Sequence, residues 1–92
     1  MTYSSGKTAV ITGAGSGIGR ALARQLNREG CALFLSDVDA TGLDETVAGL
    51  ERADVATRQQ CVDVADKAAM DAWAEAIAAQ QSSVDIVINN AG

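Results

Sequence analysis

The sequence predicts an α/β fold, a doubly wound parallel sheet of four strands with three helices packed on it. Short apolar runs rich in branched side chains alternate with longer segments whose apolar residues recur at helical spacing. A glycine-rich turn, Gly13–Gly19, joins the first of these runs to the first helical segment. Because strands that alternate with helices form βαβ units with right-handed crossovers, we expect the strand order 3-2-1-4, with a crevice beside the turn.

The predicted strands are short and mostly apolar. The second is apolar on both of its faces, so we expect helices to cover both sides of the sheet there. By residue number, the strand segments are 7–11, 31–36, a stretch within 55–64, and 84–88.

Helical segments lie between the predicted strands. The first ends at Gly30, where a glycine commonly follows a helix, and the second is expected to begin near Thr41 and the third after Asp66 as N-cap. Trp73, at helical spacing, indicates a core residue rather than a stacking platform. The faces predicted to be buried are Ile18, Leu22 and Leu26 in the first helix, Leu43, Val47 and Leu50 in the second, and Met70, Trp73, Ala74 and Ile77 in the third.

The composition excludes several classes of function. With 92 residues, the chain has room for one small domain. A net charge of −5 argues against nucleic acid and against an anionic membrane surface as partners, and no apolar run approaches the length of a membrane span. Without histidine, and with two distant cysteines, we expect no metal site. Cys31 and Cys61 lack the C-x-x-C spacing of a redox pair and are predicted to be buried small hydrophobes in a cytoplasmic protein.

The turn has the chemistry of a phosphate site. A strand, a glycine-rich turn and a helix start bring unpaired backbone amides and the positive end of a helix dipole together. A Walker A loop needs Lys-Ser or Lys-Thr after its last glycine, which is absent here. The G-x-G-x-x-G pattern also fails, because its third glycine would fall on Ile18 or Leu22. The spacing present is T-G-x-x-x-G-x-G over residues 12–19.

Four features together resemble the short-chain dehydrogenase/reductase family. The T-G-x-x-x-G-x-G turn is similar to that family's turn, and Asp37, the pair Asp63-Val64 and the segment Asn89–Gly92 follow the second, third and fourth strands in the family's order. The resemblance extends over essentially the whole chain, as the N-terminal portion of the family's single domain. It implies a Rossmann-type fold and hydride transfer between a nicotinamide cofactor and a carbonyl or alcohol.

The resemblance assigns each matched segment to a part of the cofactor. The glycine turn carries the pyrophosphate, Asp63-Val64 lies beside the adenine, and the Asn-Asn-Ala-Gly segment braces the central sheet and borders the ribose and nicotinamide. The alternative for Asp63 is an ordinary surface acid at a strand end. The residues predicted to bind the cofactor are Gly13, Gly15, Ser16, Gly17, Ile18, Gly19, Asp37, Asp63, Val64, Asn89, Asn90, Ala91 and Gly92.

Asp37 also predicts which dinucleotide is bound. It follows the turn at close to the spacing of a ribose-binding acid, although an aspartate after a strand can also cap a turn. A carboxylate there accepts hydrogen bonds from both ribose hydroxyls and repels a 2′-phosphate. Family members that use NADP often carry a basic residue at the positions of Ser16 or Val38, and neither is basic here. We therefore expect NAD(H) rather than NADP(H).

The resemblance places no catalytic residue within this sequence. The family's catalytic serine, its Tyr-x-x-x-Lys pair and a further asparagine lie beyond the fourth strand, and Tyr3 with Lys7 is a chance match before the first strand. We expect the N-terminal piece of an oxidoreductase that, when complete, acts on a small molecule as a homo-oligomer. Two alternatives stay open, a free-standing nucleotide-binding module and an interaction fragment that supplies half a sheet to a split enzyme. The apolar fourth strand forms an open edge, so we expect a marginally stable chain that associates.

Overall fold

The structure, a computed structural model, describes residues 6–81 and 84–90. Strands and helices alternate along this part of the chain, and none of its helices is long and apolar enough to cross a membrane. In chain order the elements are β1 (Thr8–Thr12), α1 (Gly17–Arg28), β2 (Ala32–Asp37), α2 (Ala40–Ala48), β3 (Thr57–Cys61), α3 (Lys67–Gln80) and β4 (Ile86–Asn89).

The strands form one parallel sheet in the order β3-β2-β1-β4, which confirms the predicted topology. The central strand β1 pairs with β2 on one side and β4 on the other, so that Val10 lies opposite both Phe34 and Val87. Since all strands run in the same direction, their carboxyl ends meet at one edge of the sheet. The glycine turn leaves β1 at this edge, where doubly wound folds bind their ligands.

Two apolar clusters cover the two faces of the sheet, because successive side chains of a strand point to opposite sides. On one face, Ile11 and Leu35 pack with Leu43 of α2 and with the apolar side of α1. On the other face, Phe34 packs with Trp73 of α3. Trp73 is 7% exposed, which confirms its prediction as a core residue.

The helix ends agree with two of the three predicted signals. Gly30 follows α1 with a φ of +89°, and the Asp66 carboxylate accepts from the amide of Ala69 at 3.1 Å as the N-cap of α3. Helix α2 begins at Ala40, within one residue of the predicted start near Thr41, but Thr41 is not its N-cap. Asp39 is the N-cap, because its carboxylate reaches the amide of Gly42 at 3.1 Å and is a better acceptor than a threonine hydroxyl.

Three residues predicted to be buried are exposed. Ala74 is one of them, because it lies where α3 borders an open groove beside the sheet. Ile18 is 70% exposed, because the first turn of α1 lies beside the glycine turn and not over the sheet. Cys61 is exposed because β3 is an edge strand whose side chains are mostly in solvent. Cys31 is fully buried as predicted, and this burial, with a contribution from the Asp85 carboxylate, raises the pKa of its thiol.

Asn27 anchors the end of α1 to the loop before β3. Its side chain is fully buried, with Nδ2 donating to the carbonyl oxygen of Arg52 at 3.1 Å and Oδ1 accepting from the amide of Arg52 at 2.9 Å. Both polar ends are therefore hydrogen-bonded, as buried amides require. Helical periodicity does not identify this contact, since its partners are backbone groups of another segment.

We expect Asn27→Ala to lower the free energy of unfolding by about 2 kcal/mol, because it leaves two backbone groups of Arg52 without partners. Urea denaturation followed by circular dichroism measures the loss. Gln25→Ala, at an exposed position of the same helix, is the control. Equal stability of the two variants would contradict the anchoring role of Asn27.

Candidate functional site

The candidate site lies at the carboxyl edge of the sheet, around the turn between β1 and α1. This edge also receives Asp37 from the end of β2 and Asn89 from the end of β4. The parallel sheet thus brings together residues that are far apart in the sequence. Their hydrogen bonds decide which of the predicted residues share one site.

Glycines permit the sharp path of the turn for two physical reasons. Gly13 and Gly17 have φ angles of +66° and +56°, in the left-handed region that residues with side chains rarely adopt. Gly19 is required by space, because a Cβ there would overlap the carbonyl oxygen of Gly13. The start of α1 consequently lies directly against the end of β1.

The turn presents backbone amides to solvent. Ser16, Gly17 and Ile18 are exposed, and Ser16, the N-cap of α1, makes no side-chain capping bond. The first amides of an α-helix have no acceptor within the helix, and the first turn of α1 contains no acidic residue. A phosphate placed here would meet N–H donors and the positive end of the helix dipole.

Asp37 is hydrogen-bonded to the turn. Its Oδ2 accepts from the amide of Gly15 at 2.8 Å, and its Oδ1 accepts from the amide of Asp39 at 3.0 Å. The carboxylate thus caps the loop into α2, which was the alternative role predicted for it. A carboxylate has about four acceptor sites, so these two bonds leave capacity for ribose hydroxyls.

Arg20, which follows the turn, ties it to α2. Its Nη2 donates to the carbonyl oxygens of Gly15 at 2.6 Å and Gly42 at 3.0 Å, and its Nε donates to the hydroxyl of Thr46 at 2.9 Å. Thr46 is fully buried, and its hydroxyl lies 2.7 Å from the carbonyl oxygen of Ala14 as a donor. Both ends of the Ala14-Gly15 segment are therefore fixed to one helix.

Sequence reasoning missed Arg20 and Thr46 as parts of the site. Helical spacing places Arg20 with Arg24 and Arg28 on the polar face of α1, which reads as a solvated surface. The acceptors of Arg20 are carbonyl oxygens of the turn and α2 and side-chain oxygens of α2, and no periodicity encodes these. The one available signal is position, since Arg20 directly follows the last glycine of the turn.

Two asparagines connect β4 to the turn. The hydroxyl of Thr12 donates to Oδ1 of Asn89 at 3.0 Å, and Asn90 donates from its amide to the Thr12 hydroxyl at 3.1 Å and from Nδ2 to the carbonyl oxygen of Gly13 at 3.3 Å. These bonds hold the ends of the neighbouring strands together. Ala91 and Gly92, the other two residues predicted in this segment, lie outside the described residues.

Asp63 and Val64 lie after β3 and differ in their surroundings. Asp63 is exposed, and its carboxylate accepts from the amide of Ala65 at 2.9 Å, within its own turn. Val64 is half-buried and lines a groove of about 670 Å³ between α3 and the sheet, together with Thr12 and Asn89. Val64 therefore lies near the strand ends of the site, whereas the hydrogen bond of the Asp63 carboxylate stays within its own turn.

Comparison with known proteins agrees with the fold. Residues 7–92 match the family model of the short chain dehydrogenases. A Mycobacterium tuberculosis protein named as an oxidoreductase, SadH, is 47% identical over 92 residues, which are 100% of this chain and 33% of that protein. The D-threitol dehydrogenase of Mycolicibacterium smegmatis is 40% identical over 87 residues, or 95% of this chain and 34% of that protein.

A solved structure has the same fold as this chain. A short chain dehydrogenase/reductase from Burkholderia phymatum, crystallised in complex with NAD, superimposes with a TM-score of 0.83 at 39% identity, covering 95% of this chain and 31% of that one. The chain spans about a third of the length of the curated relatives it matches. The family model covers nearly all of the sequence, and the chain belongs to the short-chain dehydrogenase family.

Proposed function

We propose that this chain binds NAD(H) as the cofactor-binding, N-terminal part of an oxidoreductase. The observation that carries the proposal is the open glycine turn, whose Gly15 amide lies 2.8 Å from the carboxylate of Asp37 at the ligand-binding edge of the sheet. Bound NAD would supply the nicotinamide that exchanges hydride with a carbonyl or alcohol. The NAD complex of the Burkholderia phymatum relative supports this assignment.

Each part of the site has a proposed role. The amides of the turn, Gly13–Gly19, bind the pyrophosphate, and Asp37 accepts from the adenosine ribose. Val64 contacts the adenine ring, with Asp63 accepting from its amino group. The segment Asn89–Gly92 borders the ribose and nicotinamide, supported by the bonds from Asn89 and Asn90 to the end of β1.

The proposal favours NAD(H) over NADP(H). Asp37 would repel a 2′-phosphate, and its charge is already held beside the turn by two backbone amides. The positions that carry cations in NADP-using relatives are Ser16 and Val38, both exposed and neutral here. Arg20 does not offer a substitute cation, because its Nη2 donates to carbonyl oxygens of the turn and α2 and its charge is paired with the Glu45 carboxylate at 3.4 Å.

Chemistry on the substrate belongs to the whole protein. We propose that the catalytic groups lie in the two thirds of the relatives' length that this chain does not span, and we assign no catalytic residue to the chain itself. The cysteines are unpaired, which supports a reducing, cytoplasmic setting.

The choice of dinucleotide depends on Asp37 in this proposal. We expect Asp37→Ala to raise the dissociation constant for NAD by about tenfold and that for NADP much less, since the variant loses the ribose acceptor and the repulsive charge together. Isothermal titration of the 92-residue chain with both dinucleotides gives the ratio of the two dissociation constants. Asp71→Ala, the same charge change on α3, is the control. An unchanged ratio in Asp37→Ala would overturn the NAD preference.

Arg20 is expected to support binding without touching the cofactor. Arg20→Met leaves the carbonyl oxygens of Gly15 and Gly42 without this donor, so we expect the free energy of unfolding to fall by about 2 kcal/mol and the affinity for NAD to fall by about tenfold. Arg28→Met, at an exposed position of the same helix, should leave both nearly unchanged. A folded Arg20→Met chain that binds NAD with wild-type affinity would show that Arg20 does not support cofactor binding.

A second candidate function is one half of a split enzyme, in which a partner chain supplies further strands. Strand β4 pairs with β1 on one side, and no other strand of the described residues pairs with its second edge. Val87, in the middle of β4, is 71% exposed beside the groove under α3. Apolar edge strands of this kind recruit other strands.

Self-association is the measurable consequence of this exposed edge. We expect sedimentation velocity to show association that increases with protein concentration and that Val87→Lys weakens, because a charge on an edge strand opposes pairing. Val38→Lys, at a similarly exposed valine away from β4, is the matched control. A stable monomer with a sharp, concentration-independent unfolding transition would argue against the split enzyme and favour a free-standing module.

A further inference from the structure

We propose that Gly15 is a specificity-determining residue: its missing side chain lets the Asp37 carboxylate occupy the position from which it selects NAD over NADP. This assignment rests on the proposed function. It adds a residue that acts through the absence of a side chain, which leaves room for the Asp37 carboxylate. Gly15 is buried between the end of β2 and the start of α2.

The backbone does not require glycine at this position. Gly15 is not among the glycines with positive φ, whereas Gly13 and Gly17 on either side of it are. An alanine at position 15 is therefore compatible with the local chain conformation. The reason for glycine here must come from its neighbours.

The neighbours leave no room for a side chain. A Cβ at position 15 would lie 2.8 Å from Oδ2 and 3.0 Å from Cγ of Asp37, and 3.1 Å from the amide nitrogen of Leu43. Gly17 and Gly19 lack this contact, since a Cβ at Gly17 meets nothing within 4 Å and one at Gly19 meets Gly13 and Asn90. Gly15 is thus the position in the turn where a side chain would strike the proposed ribose acid.

Of the two groups around that Cβ, the carboxylate is the easier to displace, although moving it strains its bonds to the amides of Gly15 and Asp39. The backbone at Leu43 belongs to α2, and α2 is bonded to Arg20 through Gly42 and Thr46. Asp37, by contrast, can rotate about its side-chain torsions. A methyl group at position 15 therefore displaces the carboxylate, which weakens its bonds to the ribose hydroxyls and moves its charge away from the 2′ position.

The test is a double-mutant cycle on the full chain with Gly15→Ala, Asp37→Ala and the double variant. NAD and NADP are titrated by calorimetry, and each variant's thermal unfolding is followed by circular dichroism. Gly49→Ala, at the C-cap of α2, is the control for an added methyl group, because a Cβ there meets the movable end of the Arg24 side chain and not Asp37. The cycle separates displacement of the carboxylate from general damage, because independent effects add and coupled ones do not.

We expect Gly15→Ala to raise the dissociation constant for NAD by about tenfold with a smaller change for NADP, so that the preference falls. In the Asp37→Ala background the same substitution should leave the preference unchanged and cost less thermal stability, since no carboxylate remains to be displaced. The stability arm of the cycle needs no ligand, so it remains informative if Gly15→Ala alone folds poorly.

Two results would overturn the assignment while leaving NAD binding intact. One is an unchanged preference in a folded Gly15→Ala chain, and the other is an effect of Gly15→Ala that is as large without the Asp37 carboxylate as with it. If the wild-type chain binds neither dinucleotide, the proposed function itself fails, and the assignment fails with it. The wild-type titration thus distinguishes the two failures.

Discussion

The backbone of Gly15 is held at its N–H and at its carbonyl oxygen by side chains of opposite charge, and the geometry of the site depends on this pair of bonds. The Asp37 carboxylate accepts from its N–H at 2.8 Å, and the Arg20 guanidinium donates to its carbonyl oxygen at 2.6 Å. Bonds to charged groups are about twice as strong as those between neutral groups. They connect β2 to the turn and, through Thr46, the turn to α2, so the proposed ribose acid and the open amides keep a fixed relation.

Polar contacts position this edge because the apolar core near it is thin. Aromatic residues make up 3% of the chain, and alanine supplies several of the buried positions around β1 and α1. Small side chains allow backbones to approach closely, but each buries little apolar area. Their packing therefore does little to stop one segment from shifting along its neighbour. Hydrogen bonds are directional, and those from Arg20 and Asn90 to backbone groups of other segments fix the position of this edge where apolar packing does not.

Most of the fold was predictable, and the errors in predicted burial share one cause. The topology follows from alternating strand and helix patterns, and the cap at Asp66 is encoded locally. Ile18 and Cys61 were expected to be buried because their spacing matches apolar faces, yet one lies in the first turn of α1 and the other on the edge strand. Periodicity predicts which side a residue faces, but burial also depends on whether anything covers that side.

The sequence by itself determined the strand order, the glycine turn and the placement of Asp37 and Asn89 at one edge, because periodicity, glycine spacing and the handedness of crossovers are local or topological properties. Only the tertiary structure decided that Arg20 and Thr46 hold the turn and that Gly15 faces the Asp37 carboxylate. These contacts join side chains to backbone groups of separate segments. Their partners are defined by distance in the folded chain, which no pattern along a single sequence records.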